Sequence, residues 1–430
     1  MVHPKSRPFW LIGLLLSLSA SVSNAWAWPP TFGAEFTFTN TEMLLAQLNY
    51  AGMRERDEWK KAWAKKDWKA MVELIDWNTT ENDTSNKYLA KMKDSVMKRC
   101  KQCKLIEGED HYGKVNYRFV YPDGWWFQIA TDPAVIEIQT APTTRADFEK
   151  MRDRLQTDIF GSAKSVGMMP EPIMGIGQGH IHMGLDAAFE NDPKLFRNFL
   201  VDMMNHPEVN FVFGRNERNA AILSDLGLKN IQEFKKLIAD FDAGKIRAIR
   251  SLATALQKRV YTKCVDKWWS PPEKYQAINV TRTVDPKLPA GARTVEFRSH
   301  RPQKSADEFL DQIRVYEARV EYLRGLKEPI KVNIPTKDAM SSAKEVVRRF
   351  RDFIVQSGLN WAKNGAPLIR GTSYVREATF LREANINAFT AGVGNLLSAF
   401  AAKCRFLFRP FSLEQAKLTK PKIDPPPALE

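Results

Sequence analysis

The segment GQGHIHMG, residues 177–184, contains two of the six histidines of the chain, His180 and His182. Alternate side chains of a β-strand point to the same face, so these two imidazoles would lie side by side. A His-x-His pair on a strand suits a divalent metal ion, whereas two hydrogen-bonded histidines inside the core are the alternative. The spacing favours a metal centre.

Charged side chains recur in three other strand-like segments. Glu35 and Glu137 each have hydrophobic neighbours, and Glu296 and Arg298 alternate with apolar residues. If the apolar sides of these strands pack against helices, the polar sides line one concave surface. Three carboxylates, two imidazoles and a guanidinium are costly to bury together unless a cation and an anionic ligand compensate their charges. The alternative is that each glutamate lies on a wet surface and that Glu296 and Arg298 form a surface pair of little energetic consequence.

The elements that position these residues follow from periodicity. Period-two alternation predicts strands, and apolar residues at helical spacing predict amphipathic helices. The turn at residues 122–124, with the sequence Pro-Asp-Gly, is typical of a hairpin. The predicted strands are 32–39, 115–121, 125–129, 134–140, 174–185, 275–281 and 293–298. The predicted helices are 42–77, 145–166, 192–205, 216–225, 230–262, 306–323 and 335–410, and residues 78–95 are predicted to be a surface loop.

This order of elements predicts an α+β fold, with an antiparallel sheet and helices on one side of it. No Gly-x-Gly-x-x-Gly motif follows a predicted strand and the chain has no P-loop, so these two modes of nucleotide binding are excluded. The chain has 430 residues, of which 44% are hydrophobic, enough for a large core. We predict a catalytic domain over residues 28–330 and a helical C-terminal region with an extended tail over residues 331–430.

The N-terminus has the pattern of a secretory signal. Lys5 and Arg7 precede an apolar run over residues 9–18, and a small-x-small sequence ends at Ala27. The alternative, an uncleaved membrane anchor, is disfavoured because the run is shorter than the ~20 residues of a spanning helix. We predict that residues 1–27 are removed and that the mature protein is secreted or periplasmic, with no transmembrane segment.

Export makes the four cysteines, Cys100, Cys103, Cys264 and Cys404, candidates for disulfides, although the sequence does not choose the pairing. Cys100 and Cys103 have a spacing found in zinc and redox sites, but no second Cys-x-x-Cys accompanies them, so a structural disulfide or free thiols are favoured. The formal charge of +14 favours anionic partners such as nucleotides, acidic polymers or anionic lipid surfaces. No nucleic-acid-binding motif is present, and nucleic acid is not an expected partner.

Five short segments, taken in order, resemble the amidoligases, a family of carboxylate–amine ligases in the glutamate–cysteine ligase-like and glutamine synthetase-like superfamily. The resemblance covers roughly residues 31–325, and the histidine and Glu-Phe-Arg segments are its most specific parts. The matching segments are GAEFT at 33–37, Asp132 followed by EIQTAP at 137–142, GHIHMG at 179–184, YQAIN at 275–279 and TVEFR at 294–298.

The resemblance implies a sheet curled into a funnel, with helices packed on its outer side. It also implies the cofactors ATP and Mg²⁺, and a substrate with a carboxylate that is phosphorylated and then joined to an amine. The metal ligands would be Glu35, Glu137, His182 and Glu296. The catalytic residues would be Arg298, His180 and His182, with Arg298 and Asn279 binding the nucleotide.

The chain departs from the family pattern at Thr37, where a second glutamate is expected. An exported ATP- and Mg²⁺-dependent ligase acting on an amino acid, a peptide or an acidic polymer is the first hypothesis. A non-catalytic ligand-binding protein on the same fold and a metal-dependent hydrolase are the alternatives. The glycines of GQGHIHMG are predicted to let a ligand approach the backbone closely.

Overall fold

The computed structural model describes residues 28–40, 42–43, 46, 83–109, 114–132, 135–170, 178–215, 220–262, 272–336, 338–340 and 342–371. The predicted signal peptide, most of the predicted helix 42–77, Cys264, Cys404 and everything after residue 371 lie outside the described residues.

Ten strands form one sheet in the described part of the chain. Its order is β2-β3-β4-β5-β1-β8-β10-β9, with β6 and β7 also pairing with β1. All pairs of these strands are antiparallel and the sheet is open, so the predicted α+β class with an antiparallel sheet is confirmed. The strands are β1 Thr31–Thr39, β2 Lys104–Glu109, β3 Val115–Val120, β4 Trp126–Asp132, β5 Val135–Thr140, β6 Thr143–Thr144, β7 Met169–Pro170, β8 Gly179–Gly184, β9 Ile278–Asn279 and β10 Thr294–His300.

The described helices vary in length and several continue into π-helical turns. The α-helices are α1 Asp83–Arg99, α2 Arg145–Lys150, α3 Arg152–Arg154, α4 Gly161–Ser165, α5 Leu185–Phe189, α6 Pro193–Asn205, α7 Glu208–Val212, α8 Leu223–Leu226, α9 Leu228–Asp242, α10 Ile249–Ala255, α11 Thr281–Val284, α12 Ala306–Arg324, α13 Ala343–Gln356 and α14 Ala366–Gly371. The π-helical turns are Leu155–Phe160, Leu256–Val260 and Trp361–Gly365, and 3₁₀ turns cover Pro272–Tyr275, Ala290–Ala292 and Asp338–Met340. No described helix is both long enough and apolar enough to span a membrane.

The apolar face of the sheet packs against the helices. The ring of Phe36 on β1 lies 5.0 Å from that of Phe160 and 5.3 Å from that of Phe309 on α12. Phe297 on β10 stacks on Tyr316 of α12, with ring centroids 3.8 Å apart. Because side chains alternate along a strand, this packing leaves the polar side chains of β1 and β10 on the opposite face.

A buried ion pair ties three helices together beside this core. Nε of Arg319 on α12 donates to Oδ2 of Asp202 on α6 at 2.6 Å, and each side chain is only 2% exposed. The same guanidinium lies 4.3 Å from the ring centre of Phe353 on α13. Removing one partner of such a pair would leave a buried charge uncompensated. Because Arg319 also contacts Phe353, it holds α13 against the helices that cover the sheet.

The strand predictions at 32–39, 134–140 and 293–298 and the hairpin at 115–129 agree with the structure to within a few residues. The helix predicted over 230–262 is instead interrupted after α9, because Gly244, with φ +74°, takes a left-handed conformation that ends a helix. The segment 275–281 contributes only β9, because α11 begins at Thr281.

Two further predictions were wrong in the described residues. The loop predicted over 78–95 is helical from Asp83 onwards, because Tyr88, Met92 and Val96 recur at helical spacing and are buried on one side of α1. The helix predicted over 216–225 is reduced to α8, since residues 220–222 are not helical. Cys100 and Cys103 form a disulfide just after α1, so of the two alternatives left open for this Cys-x-x-Cys, a disulfide or free thiols, the structure has the disulfide.

Candidate functional site

The register of the sheet brings the polar residues into rows. In an antiparallel pair, directly opposite residues point to the same face. Across five neighbouring strands one row is formed by Arg118, Gln128, Gln139, Glu35 and His180. A second row is formed by Asn279, Glu296, His182 and Gly33. Glu35, His180, His182 and Glu296 therefore meet where β1, β8 and β10 run side by side, with Asn279 next to them on β9.

The carboxylate of Glu35 lies between the two imidazoles. Nδ1 of His180 is 2.7 Å from Oε2 of Glu35, and Nε2 of His182 is 3.0 Å from Oε1. Burial alone would raise the pKa of Glu35, but the charge of His182 and the hydrogen bonds from both imidazoles outweigh it and hold this pKa well below its ordinary value. Burial would lower the pKa of His182, but the Glu35 carboxylate raises it instead.

Glu296 forms a second buried group with its neighbours. Its Oε1 accepts a hydrogen bond from Nη1 of Arg298 at 2.5 Å, and its Oε2 accepts one from Nδ2 of Asn279 at 2.6 Å. Nδ1 of His180 lies 3.3 Å from the same Oε1. Burial would raise the pKa of Glu296, but the positive charge of Arg298 outweighs it and lowers this pKa. Glu296 is therefore held as a carboxylate that links the nucleotide-binding candidates Arg298 and Asn279 to the histidines.

Glu137 stands beside this group. Its Oε1 accepts a hydrogen bond from Nε2 of Gln139 at 2.6 Å. Burial, together with the negative charges of Glu35 and Asp132, raises the pKa of Glu137 well above its ordinary value. The site thus contains one carboxyl group that is difficult to ionise, because it is buried and because other carboxylates lie near it.

A cluster of possible metal ligands emerges from this geometry. One ligand atom each from Glu35, His182 and Glu296 lie within 4.8 Å of one another. Glu137, the fourth predicted ligand, is outside this trio but close enough to feel its charge. The predicted site is therefore brought together on one face of the sheet, with three of its proposed ligands in direct reach of one ion.

The residues present fit a divalent cation. Carboxylate oxygens are the ligands preferred by Mg²⁺ and Mn²⁺, and imidazole nitrogen suits Zn²⁺. The clustered atoms of Glu35, His182 and Glu296 supply two carboxylates and one imidazole, a donor set of this kind. Burial and the neighbouring carboxylates Glu35 and Asp132 raise the pKa of Glu137, and a cation bound nearby would oppose the effect of those negative charges.

Positive side chains act on the ionisable groups of the site. Burial lowers and Glu35 raises the pKa of His182, which is raised overall, and the charge of Arg282 opposes that rise. Burial raises the pKa of Asp132 at the end of β4, and the charges of Lys114 and Lys274 oppose that rise. With the buried Arg298, these positive charges near acidic groups suit a polyanion bound together with cations.

Two glycines of the histidine segment, Gly179 and Gly184, lie against side chains of the protein, and Gly177 lies outside the described residues. A Cβ on Gly179 would lie 2.2 Å from Oε1 of Gln303, and a Cβ on Gly184 would lie 2.3 Å from Oγ1 of Thr31. A side chain at either position would therefore require these neighbours to shift, and the approach of a ligand to the backbone at these glycines stays a prediction. At Gly33, in contrast, the nearest atom to an added Cβ is 3.5 Å away, an ordinary contact.

Sequence reasoning missed the outer half of the first row, formed by Arg118, Gln128 and Gln139. The signal was available, because the turn at residues 122–124 fixes the hairpin register that sets Arg118 opposite Gln128. Comparison with models of known protein families and with curated protein sequences gives no match.

Proposed function

We propose that this protein is an exported carboxylate–amine ligase that uses ATP and Mg²⁺ to form an amide bond, as the resemblance to the amidoligases implies. The observation that supports it best is the meeting of Glu35, His182 and Glu296 around one point, with Arg298 bonded to Glu296. Carboxylates that hold Mg²⁺ next to an arginine that holds phosphate oxygens are the usual parts of a phosphoryl-transfer site.

In this proposal Glu35, Glu296 and His182 hold one ion, and Glu137 joins as a ligand when it loses its proton. Mg²⁺ supplies charge compensation for the phosphate oxygens of ATP. The sheet would curl so that its polar face lines a funnel, with the site on its wall. Thr37 lies directly opposite Glu137 in the register, so Glu137 occupies the neighbourhood where the family pattern has a second glutamate.

The reaction transfers a phosphoryl group from ATP to a substrate carboxylate, and an amine then displaces phosphate to leave the amide. Arg298 would hold the transferred charge, because a guanidinium offers a fork of donors to phosphate oxygens. Asn279 orients Glu296 and thereby Arg298.

In this proposal His180 accepts the proton that the attacking amine must lose. When its Nδ1–H donates to Glu35, the ring is held in one tautomer and Nε2 keeps a lone pair. The same Nε2 atom is buried and has no hydrogen-bond partner among the described residues. The proposed pair of Glu35 and His180 therefore resembles a base with its orienting carboxylate.

The experiment is to incubate the purified mature chain with ATP, Mg²⁺ and pooled amino acids and short peptides, and to measure phosphate release together with the masses of new amides. We expect both signals, and we expect them to be lost in Glu35→Gln and retained in Glu345→Gln. Glu345 is a matched control because it is a glutamate on α13 that pairs with the exposed Arg348. ATP-dependent amide formation that persists in Glu35→Gln, or none in the wild type, would refute the proposal.

A metal-dependent hydrolase is a second candidate, supported by the imidazole among the three clustered ligands. Two carboxylates and a histidine also suit Zn²⁺ with an activated water. Metal analysis of the protein from its native host separates the two: tightly bound stoichiometric zinc favours hydrolysis, and labile Mg²⁺ bound only with nucleotide favours the ligase. Nucleotide binding without turnover would instead indicate the non-catalytic binding protein suggested by Thr37.

A further inference from the structure

The first polar row continues well beyond the proposed metal centre. From Glu35 it passes over Gln139 and Gln128 and ends at Arg118 on β3. Three strand spacings of ~4.8 Å separate Arg118 from Glu35, about 14 Å along the same face. Arg118, the charged residue at the far end of this row, therefore lies apart from the ion-binding cluster.

The side chains of the row are joined by directed hydrogen bonds. Nη2 of Arg118 donates to Oε1 of Gln128 at 3.0 Å, and Nε2 of Gln128 donates to Oε1 of Gln139 at 2.9 Å. Nε2 of Gln139 then donates to Glu137. The guanidinium of Arg118 can only donate hydrogen bonds, so the amide oxygen of Gln128 must face it. The amide nitrogens of Gln128 and Gln139 therefore both point towards the carboxylate end of the row. The row is thus ordered before any ligand binds.

Arg118 is itself held in place. Its guanidinium carbon lies 4.2 Å from the ring centre of Trp126, an arrangement in which a flat cation stacks on an aromatic face. The residue is exposed, and among the described residues no carboxylate pairs with it. A preorganised, uncompensated guanidinium on the same face as the proposed centre suits the carboxylate of a ligand.

Each amide in the row also keeps hydrogen-bonding capacity. The chain described above uses one N–H and one lone pair of Gln128 and of Gln139, while an amide has two of each. Peptide groups need both a donor and an acceptor, which these amides supply between the two charged ends. Trp126 adds an apolar wall next to Arg118.

We infer that Arg118, Trp126, Gln128 and Gln139 form a subsite for an extended peptide-like substrate, whose distal carboxylate binds Arg118 while its reacting carboxylate lies at the Glu35 and Glu296 centre. The inference rests on the proposed ligase function and narrows its substrate to a chain with two carboxylates about 14 Å apart. An extended chain spans roughly 3.4 Å per residue, so about four residues fit this distance. A single amino acid reaches only one end.

The test compares the binding of glutamate and of tetraglutamate by calorimetry, with Mg²⁺ and a non-hydrolysable ATP analogue present. We expect tetraglutamate to bind the wild type about fivefold more tightly than glutamate, the upper range for an exposed ion pair. Arg118→Gln should abolish this preference and Arg118→Lys should restore part of it, because lysine keeps the charge without the stacked fork. Arg348→Gln, which removes an exposed arginine on α13, is the control and should keep the preference.

Equal binding of the two probes, binding of neither, or a preference that survives in Arg118→Gln would overturn the inference. Its failure is distinguishable from failure of the proposed function. ATP-dependent amide formation on free glutamate with no preference for tetraglutamate would leave the ligase standing without the subsite. An Arg118-dependent preference in a protein that never turns over ATP would leave the subsite standing without the ligase.

Discussion

Glu35 and His180 lie directly opposite each other on β1 and β8, and Nδ1 of His180 is 2.7 Å from Oε2 of Glu35. The other oxygen of the same carboxylate contacts His182, so one side chain organises both imidazoles of the histidine segment. This arrangement explains why the two histidines are separated by a single residue: adjacent histidines would point to opposite faces of β8, and a wider spacing would move one of them away from the Glu35 carboxylate.

We predict that Glu35→Gln lowers the pKa of His182. Burial pushes this pKa down, and the Glu35 carboxylate is the main reason that it is raised in the wild type. Removing the negative charge leaves burial to dominate, although Glu296 still opposes it. An NMR titration of the histidine ring protons should show the decrease, and Glu345→Gln should show none. An unchanged His182 would mean that Glu35 does not control the charge of this pair.

We predict that Glu296→Gln destabilises the fold, because it leaves the buried Arg298 guanidinium without its carboxylate. The side chains of Glu296 and Arg298 are 8% and 9% exposed. Breaking such a pair costs about 3 kcal/mol in the free energy of unfolding. The double variant Glu296→Gln with Arg298→Met should recover part of this loss in urea denaturation. A double variant whose loss is the sum of the two single losses would show that the two side chains are not coupled.

We predict that ionisation of Glu137 makes the stability of the metal-free protein depend on pH. Burial, Glu35 and Asp132 raise its pKa above the ordinary value of 4.5, so the folded state holds the proton more tightly than the unfolded state. The stabilisation is complete below the unfolded pKa and is lost as the pH rises towards the folded pKa. Without divalent ions, wild-type stability should therefore fall relative to Glu137→Gln by up to about 1.4 kcal/mol per pH unit in that window. Parallel pH profiles of the two proteins, measured in EDTA, would contradict this.

We predict that Thr37→Glu destabilises the metal-free protein and that Mg²⁺ reverses the effect. Thr37 is 4% exposed and lies opposite Glu137, so the substitution sets two carboxyl groups directly across a strand pair. Like charges in this position repel, and a hard cation would use the added ligand. Thermal melting with and without Mg²⁺ and nucleotide measures both effects. Thr37→Val, which adds no charge, is the control and should show no response to Mg²⁺ beyond that of the wild type.

We predict that Gly179→Ala costs about 1 to 3 kcal/mol, as expected for overpacking, whereas Gly33→Ala costs much less. The added methyl group at position 179 meets the buried Gln303, which is itself bonded to Gln312 at 3.0 Å. Gly33 has space for a methyl group on the polar face. Combining Gly179→Ala with Gln303→Ala should relieve part of the loss. If the two substitutions lowered the free energy of unfolding equally, the contact with Gln303 would not be the reason that glycine is needed at position 179.

The sequence predicted the strands that carry Glu35, Glu137, His180 and Glu296, because a half-buried strand alternates polar and apolar residues over its whole length. The contacts between them were not predictable, since they depend on which strands pair and in which register. β2 was missed because its residues are almost all exposed or half-buried and show no clear alternation. The hydrogen-bonded row ending at Arg118 was missed because its glutamines are uncharged and common on strand surfaces. Their hydrogen bonds depend on which side chains lie opposite them in the folded sheet.

The central position of β1 also determines when this sheet can form. Glu35 and His180 are 145 residues apart in sequence, and β1 pairs with β8 only after the chain between them is complete. At a synthesis rate of ~5–20 residues per second, the aromatic side of β1 waits about 7 to 30 s for that partner. Pairing between such distant segments is slow even in a finished chain, and an unpaired strand edge is where another chain can add in error. β5 can cover one edge of β1 once residues 135–140 are made, but the edge that pairs with β8 has to wait for residues 179–184.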